Sequence, residues 1–312
     1  MVKIDLVTGF LGSGKTTFLL KYGKYLMSQG LKIGILEYDY GAINVDMLLL
    51  NKLRGDRCEL EMVAAACDED CLKRRFKTKL IAMAMSGYDR VIVEPSGVFD
   101  MDLFFDTLRD EPLENWYEIG SVITVVNANL RSGLSEEEDF YLASQASGAG
   151  CILLSRVQLS DPERIEQTKR HIAEAAERIY AGKLKGSFLA KDWETFTDED
   201  FRFLADCGYH VSDYRKVIAG ARSDFTSLCF MDLQDDLEQM KAKIQALFAS
   251  EEFGHIVRVK GFVCDRQGGC QINATRYEML VDPIAIGQGV VIVIGTDFQA
   301  EKIRKFMTGD EQ

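Results

Sequence analysis

The sequence has 312 residues and is acidic, with 49 Asp and Glu against 37 Lys and Arg, which disfavours a general nucleic-acid-binding protein because such proteins carry a basic patch. Hydrophobic residues make up 47% of it, enough for a sizeable core, and no apolar run is long enough to predict a transmembrane helix. Because no signal peptide is recognised and the eight cysteines are scattered, we expect a cytoplasmic protein with reduced thiols and with neither a membrane nor a nucleic-acid partner.

The first motif is a phosphate-binding loop. Residues 9–16 read Gly-Phe-Leu-Gly-Ser-Gly-Lys-Thr, which fits the pattern of Gly, four residues and Gly-Lys-Thr. An apolar run at 4–7 predicts a strand before the loop, and a helix is predicted from Thr17 onward. In that setting backbone N–H groups and the helix start bind phosphates. The expected nucleotide-binding residues here are Gly9, Gly12, Ser13, Gly14, Lys15, Thr16 and Thr17.

Two residues of this motif have side chains suited to the chemistry of a nucleoside triphosphate. Lys15 would reach the β- and γ-phosphates, and the Thr16 hydroxyl would bind Mg²⁺.

Asp39 follows a strand predicted at 31–36, in the kind of loop where ligands of open α/β sheets bind. Asp39 is therefore a candidate catalytic residue and Mg²⁺ ligand, and the alternative is an aspartate that caps a turn.

A second acidic motif follows the strand predicted at 90–93. Glu94 stands at the end of this strand, where a carboxylate that binds Mg²⁺ or orients the attacking water belongs. Gly97 would let its N–H group approach the γ-phosphate closely. We therefore expect Glu94 to be catalytic and a Mg²⁺ ligand, and Gly97 to contact the nucleotide.

Cys67 and Cys71 are candidates for a transition-metal site. They are four residues apart at a predicted helix start, so both sulfurs would share one helix face. With only three histidines in the chain, a metal site would depend on sulfur and carboxylates, and Zn²⁺ is the default ion. Cys58 could complete the ligand set. The alternative is that these are semi-buried packing residues.

The remaining pattern predicts an α/β fold with a mainly parallel sheet flanked by helices, followed by a small α+β domain. We expect a phosphate-binding domain at 1–207, a linker at 208–226 and the second domain at 227–312. In the first domain we predict further strands at 121–126, 151–154 and 186–189. In the second we predict strands at 227–231, 255–264, 271–280 and 290–294, with helices at 235–249 and 299–307.

The ordered set of motifs resembles the CobW-type P-loop GTPases, which are related to the UreG- and HypB-like metallochaperones. The loop at 9–17, the acidic segment from Asp39 to Asp46, and Glu94-Pro95-Ser96-Gly97 carry the resemblance in the first domain. Residues 258–262 and 291–295 resemble the start and the last strand of the family's C-terminal domain. The resemblance implies GTP and Mg²⁺ as ligands, and GTP hydrolysis that drives metal or cobalamin-type cofactor delivery. It further implies a client metalloprotein or corrinoid enzyme as partner and is compatible with a homodimer.

The chain departs from this family at two places. Cys67 and Cys71 replace the usual Cys-x-Cys-Cys motif, which leaves the identity of the metal open. Ser155, Arg156 and Gln158 occupy the place of the guanine-reading Asn-Lys-x-Asp motif and are expected to contact the nucleotide. Gln accepts from guanine only partially, so a weaker preference for GTP over ATP is predicted.

Two other functions share these motifs. A P-loop small-molecule kinase would use the same phosphate site but would need an acceptor-binding site and an arginine-rich lid. A nucleotide-binding regulatory module with little turnover would share every motif, and only a hydrolysis rate would distinguish it.

Overall fold

The strands and helices can be followed through most of the chain in a computed structural model. The structure describes residues 1–38, 45–63, 69–97, 99, 101–131, 133–179, 181–212, 226–231, 233–265, 268–276, 278–284 and 289–309. Two of the predicted site residues, Asp39 and Cys67, lie outside these ranges.

Parallel strands form the sheet of the first compact unit. In chain order they are β1 (Val2–Thr8), β2 (Ile33–Tyr38), β3 (Cys58–Val63), β4 (Arg90–Pro95), β5 (Tyr117–Asn127), β6 (Cys151–Ser155) and β7 (Ser187–Leu189). Their order across the sheet is β3-β2-β4-β1-β5-β6-β7. The carboxyl ends of β1, β2 and β4 therefore lie side by side, and the motifs that follow these strands meet at one edge of the sheet.

The helices of this unit alternate with the strands, as in parallel sheets generally. They are α1 (Lys15–Ser28), α2 (Val45–Leu50), α3 (Glu69–Met85), α4 (Met101–Arg109), α5 (Leu113–Trp116), α6 (Glu136–Gly148), α7 (Pro162–Arg178) and α8 (Asp198–Ala205). Local sequence explains two of the starts. Ser135 and Glu138 form a capping box at α6, and Asp161 caps α7 just before a proline.

The two faces of the parallel sheet pack into separate cores because side chains alternate along each strand. On β1, Ile4 and Leu6 belong to the core cluster that includes residues of α3 to α6. Val7 belongs to the opposite cluster, with Phe18 and Tyr22 of α1. Both faces are therefore covered, and this arrangement confirms the predicted parallel α/β architecture.

The second unit is a small antiparallel sheet with helices on one face. Its strands are β8 (Thr226–Met231), β9 (His255–Asp265), β10 (Gly268–Thr275), β11 (Glu278–Ile284) and β12 (Val290–Thr296), and their order is β11-β10-β9-β12-β8. Met240 and Ile244 of α9 (Leu237–Ala249) and Ile303 of α10 (Ala300–Thr308) share one core with Val259 and Val293 of the sheet. The predicted α+β class is confirmed.

One strand prediction in this unit is wrong. Residues 271–280 do not form a single strand, because the chain turns back after Thr275 and pairs it with Glu278 in an antiparallel hairpin. The turn lacks the Gly, Asn or Asp that marks most two-residue hairpin loops. The sequence therefore shows no break at the position where β10 ends and β11 begins.

The predicted linker at 208–226 begins with residues that bond to the first unit. The Val122 N–H group donates to the Gly208 carbonyl at 2.9 Å, and the His210 N–H group donates to the Gly148 carbonyl at 3.0 Å. Residues 213–225 lie outside the described ranges, so the domain boundaries stay a prediction.

Among the helices that the structure describes, none combines the length and apolarity needed to cross a membrane.

A buried ion pair links β1 and β4 at the centre of the parallel sheet. Asp5 of β1 is fully buried, and its carboxylate lies 2.9 Å from the Arg90 Nε on β4. The Tyr22 hydroxyl of α1 and the Ser121 N–H group of β5 each donate to the same carboxylate at 2.8 Å. Burial and the Asp5 charge raise the pKa of Tyr22 well above its ordinary value, so this hydroxyl remains a donor.

We expect Asp5→Ala to lower the free energy of unfolding by about 3–5 kcal/mol, because Arg90 would stay buried without its counter-charge. Asp110→Ala is the control. Asp110 pairs with Lys77 at 3.1 Å but is half exposed, so its loss should cost less than about 1 kcal/mol. Denaturant unfolding followed by circular dichroism measures both variants. Equal unfolding midpoints for the two would contradict this account of the buried pair.

Candidate nucleotide site

The loop between β1 and α1 has a shape that requires glycine. Gly9, Gly12 and Gly14 have φ of 146°, 77° and 102°, which residues with side chains rarely adopt. A Cβ on Gly9 would also lie 2.1 Å from the Val125 carbonyl oxygen. The loop therefore begins in direct contact with the backbone of β5, and its curled backbone is of the kind that presents N–H groups to an anion.

Lys15 and the start of α1 complete the anion-binding features of the loop. The Lys15 ammonium is buried and donates to the Gly9 carbonyl at 2.8 Å, across the mouth of the loop. Among the described residues no side chain caps α1, and its first turn, with Thr16 and Thr17, contains no acid. The first N–H groups of any α-helix point away from its hydrogen-bond ladder, and the helix dipole favours a negative charge there.

Thr16 and Glu94 join the two predicted phosphate motifs. The Thr16 hydroxyl donates to the Glu94 carboxylate at 3.0 Å, although Thr16 lies in α1 and Glu94 lies near the end of β4. Glu94 is 3% exposed, so the carboxylate lies inside the fold beside the loop. The structure thus brings together Lys15, Thr16 and Glu94, as the sequence predicts, while Asp39 lies outside the described residues.

Glu37 is a buried acid beside Glu94 that sequence reasoning did not single out. The two residues are register partners on β2 and β4 and therefore point to the same side of the sheet. With the Thr16 hydroxyl they supply oxygen donors, which suit Mg²⁺ better than a softer ion. Within the described chain no cluster of three or more His, Cys, Asp or Glu is arranged to hold a metal alone. A Mg²⁺ ion here would therefore need phosphate oxygens as further ligands.

Gly97 lies against the phosphate-binding loop. A Cβ at this position would be 2.5 Å from the Leu11 nitrogen, so no residue other than glycine fits without movement of one backbone. The neighbouring Ser96 N–H group donates to the Tyr38 carbonyl at the end of β2, at 2.8 Å. The loop after β4 is thus held close to both the phosphate-binding loop and the end of β2.

The predicted base-reading segment also lies next to the phosphate-binding loop. A Cβ on Gly14 would be 3.7 Å from the Ser155 Cβ at the end of β6. Arg156 adopts a left-handed conformation with φ of 56°, and the exposed Gln158 lies in the short 3₁₀ turn that follows. Ser155 thus ends β6, and Arg156 and Gln158 follow it at the edge of the sheet where the phosphate-binding loop lies.

Trp193 is a residue of this site that sequence reasoning missed. Its ring would lie 3.4 Å from a Cβ on Gly14, and its indole N–H group donates to the Leu154 carbonyl at 3.1 Å. The ring also packs edge-on against Phe18 of α1. Trp193 fixes the end of β6 relative to the phosphate-binding loop through contacts that only the fold creates, so the sequence has no local signal for it.

The predicted metal-binding cysteines are only partly described. Cys71 is half-buried in the first turn of α3, and Cys67 lies outside the described residues. Cys58 stands at the amino end of β3, about 16 Å from the strand's other end at 3.3 Å per residue. Burial also raises the pKa of the Cys58 thiol to about 11, so it stays protonated.

Comparison with known proteins identifies related sequences over the first unit. Residues 3–180, more than half of the chain, match the model of the nucleotide-binding domain of the CobW/HypB/UreG family. The chain is 25% identical over 189 residues to "Zinc chaperone YjiA" of Escherichia coli, covering 57% of this chain and 52% of that protein. It is 24% identical over 178 residues to "Zinc-regulated GTPase metalloprotein activator 1" of Schizosaccharomyces pombe, covering 55% and 43%. The chain thus spans about half the length of the curated relatives it matches.

Solved structures with related folds include two proteins of this group. The Zn(II)-bound YjiA GTPase from E. coli aligns over 100% of this chain and 99% of its own, with 18% identity and a TM-score of 0.40. The hydrogenase maturation factor HypB from Archaeoglobus fulgidus aligns over 65% and 88%, with 18% identity and a TM-score of 0.41.

We expect Lys15→Ala to abolish most nucleotide binding while leaving the fold intact, because the ammonium supplies charge to the phosphates and packs little apolar surface. Isothermal titration with a non-hydrolysable GTP analogue measures the affinity, and circular dichroism checks the fold. Wild-type affinity in a folded Lys15→Ala variant would show that the loop is not the phosphate site.

Proposed function

We propose that this chain, which belongs to the CobW/HypB/UreG family, is a Mg²⁺-dependent GTPase whose hydrolysis of GTP drives delivery of a metal ion to a client protein. The observation that carries the proposal is the hydrogen bond from Thr16 to Glu94, which joins the phosphate-binding loop to the carboxylate at the end of β4. The match to a nucleotide-binding domain over residues 3–180 supports the same activity.

The proposed roles follow from the chemistry of each group. The N–H groups of the loop and of the first turn of α1 would bind the phosphates, and Lys15 would exchange the Gly9 carbonyl for a phosphate oxygen. When bound, Mg²⁺ neutralises charge on the phosphates. Thr16 and Glu94 would hold the ion or its waters, Glu94 would orient the attacking water, and Gly97 would donate its N–H group to the γ-phosphate.

Hydrolysis by the purified chain tests the proposal. Wild type should release phosphate from GTP in the presence of Mg²⁺, and Lys15→Ala should release it at the rate of the protein-free blank. A wild-type rate equal to the blank would instead favour the regulatory module with little turnover. Phosphate that appears only on an added small-molecule acceptor would favour the kinase.

We propose that the delivered ion is a divalent transition metal, with Zn²⁺ first. Two E. coli relatives are described as zinc chaperones, and Cys71 is a half-buried thiol in the first turn of α3. Two thiolates, from Cys67 and Cys71, would form an incomplete tetrahedral set, which suits a carrier that releases its metal. The family resemblance also suggests a cobalamin-type cofactor as the cargo, with a corrinoid enzyme as the client.

We expect Zn²⁺ to bind wild type more tightly than the Cys67→Ser/Cys71→Ser variant, and we expect a non-hydrolysable GTP analogue to change the wild-type affinity. By linkage, Zn²⁺ must then change the analogue's affinity by the same factor. Competition with a chromogenic chelator measures these affinities. Cys270→Ser is the control, since Cys270 is also half-buried but lies in the second unit. Equal Zn²⁺ affinities in all samples would show that Cys67 and Cys71 are packing residues and not metal ligands.

We expect GTP to be preferred over ATP by a modest margin, and Gln158→Asp to increase that preference about tenfold to a hundredfold. A carboxylate accepts from both the ring N–H and the amino group of guanine, and a hydrogen bond to a charged group is worth about 1.5–3 kcal/mol. Competition titrations measure the ratio. Gln29→Asp, at the far end of α1, makes the same charge change away from the site. Tighter binding of ATP, with no effect of Gln158→Asp, would contradict the placement of the base.

A further inference from the structure

Gln145 lies in the interior of α6 and reaches the loop that follows β4. Its side chain is fully buried. The amide nitrogen donates to the Gly97 carbonyl at 3.1 Å and makes a second, longer contact with the Phe99 carbonyl at 3.5 Å. The Thr124 hydroxyl of β5 donates to the Gln145 backbone carbonyl at 2.8 Å, which fixes this turn of α6 to the sheet. Gln145 therefore links a rigid helix to the loop that would read the γ-phosphate.

The side-chain oxygen of Gln145 makes this residue a poor choice for packing alone. The atom is buried and has no hydrogen-bond partner among the described residues. A buried acceptor left without a donor costs about 1–3 kcal/mol, so an apolar side chain of similar size would give a more stable core. The orientation of the amide is set by chemistry, because only the NH₂ group can donate to two carbonyls. The advantage of glutamine at this position must therefore come from the carbonyl groups that its NH₂ group binds.

The NH₂ group holds a glycine peptide that would otherwise rotate easily. Glycine has the least restricted backbone of all residues, and the structure limits Gly97 from two sides. A Cβ there would lie 2.5 Å from the Leu11 nitrogen on the side of the phosphate-binding loop, and Gln145 holds the carbonyl from within the fold. Holding the Gly97 carbonyl fixes the peptide plane that follows Gly97, and it thereby restricts rotation about the Gly97 backbone, to which the N–H group of the preceding peptide is attached.

We propose that Gln145 is a positioning residue for GTP hydrolysis, which holds the Gly97 loop in the orientation that receives the γ-phosphate. The inference rests on the proposed GTPase activity of the same site. A donor that is already oriented loses no free energy to reorganisation when the γ-phosphate arrives or when charge develops on it. GDP lacks this phosphate, so Gln145 acts on the triphosphate and not on the diphosphate.

The test compares Gln145→Met, which keeps the length of the side chain and removes the donor, with Ser144→Ala. Ser144 is the neighbouring buried residue, and its hydroxyl donates to the Tyr141 carbonyl of the same helix. In Gln145→Met the affinity for a non-hydrolysable GTP analogue and kcat should each fall about fivefold to tenfold, the effect of one hydrogen bond. Affinity for GDP should stay within twofold of wild type. Ser144→Ala should leave all three quantities unchanged.

The ratio of analogue affinity to GDP affinity separates positioning from stability, because a merely structural defect would weaken both ligands together. Gln145→Asn, whose amide is one methylene too short to reach Gly97, replaces Gln145→Met if that variant does not fold. An unchanged or raised ratio, with unchanged kcat, in a folded variant would overturn the proposal. A wild-type protein that does not hydrolyse GTP would instead refute the proposed function itself.

Discussion

The phosphate site depends on backbones that touch where side chains would normally separate them. A Cβ on Gly9 would meet the Val125 carbonyl oxygen at 2.1 Å, and a Cβ on Gly97 would meet the Leu11 nitrogen at 2.5 Å. Glycine at both positions lets the phosphate-binding loop lie directly against β5 and against the loop after β4. This spacing places the Thr16 hydroxyl within 3.0 Å of the Glu94 carboxylate. The shared role proposed for Thr16 and Glu94 at the Mg²⁺ ion requires that approach.

The parts of the site that the sequence predicts are those encoded by local spacing. Glycines at fixed offsets define the phosphate-binding loop, and an acid at the end of an apolar run identifies Glu94. Asp5 with Arg90, Gln145 and Trp193 carry no such mark, because each acts through a partner that only the fold brings near. The same reason explains the missed hairpin between β10 and β11. Backbone pairing between the two strands stabilises the hairpin although its turn lacks the usual turn residues.

The cysteines show why their number is a poor guide to metal chemistry. Cys58, Cys151 and Cys207 pack within or against one core cluster of the first unit. Burial raises the pKa of Cys58 and of Cys207 to about 11 each, and it raises the pKa of Cys151 further. In the described structure these three thiols pack as small apolar side chains. Cys71 differs because it is half-buried in the first turn of a helix.

That position would give the metal proposed for Cys71 a short physical route to the nucleotide. Phe76 lies further along the same helix, and its ring packs edge-on against Tyr38, with ring centroids 5.1 Å apart. Tyr38 ends β2, and its carbonyl accepts the Ser96 N–H group of the loop after β4. A shift of α3 would therefore move the ring of Tyr38, which ends the strand that holds the loop after β4. Close-packed side chains transmit such shifts because no free space absorbs them, so metal and nucleotide could influence each other without direct contact.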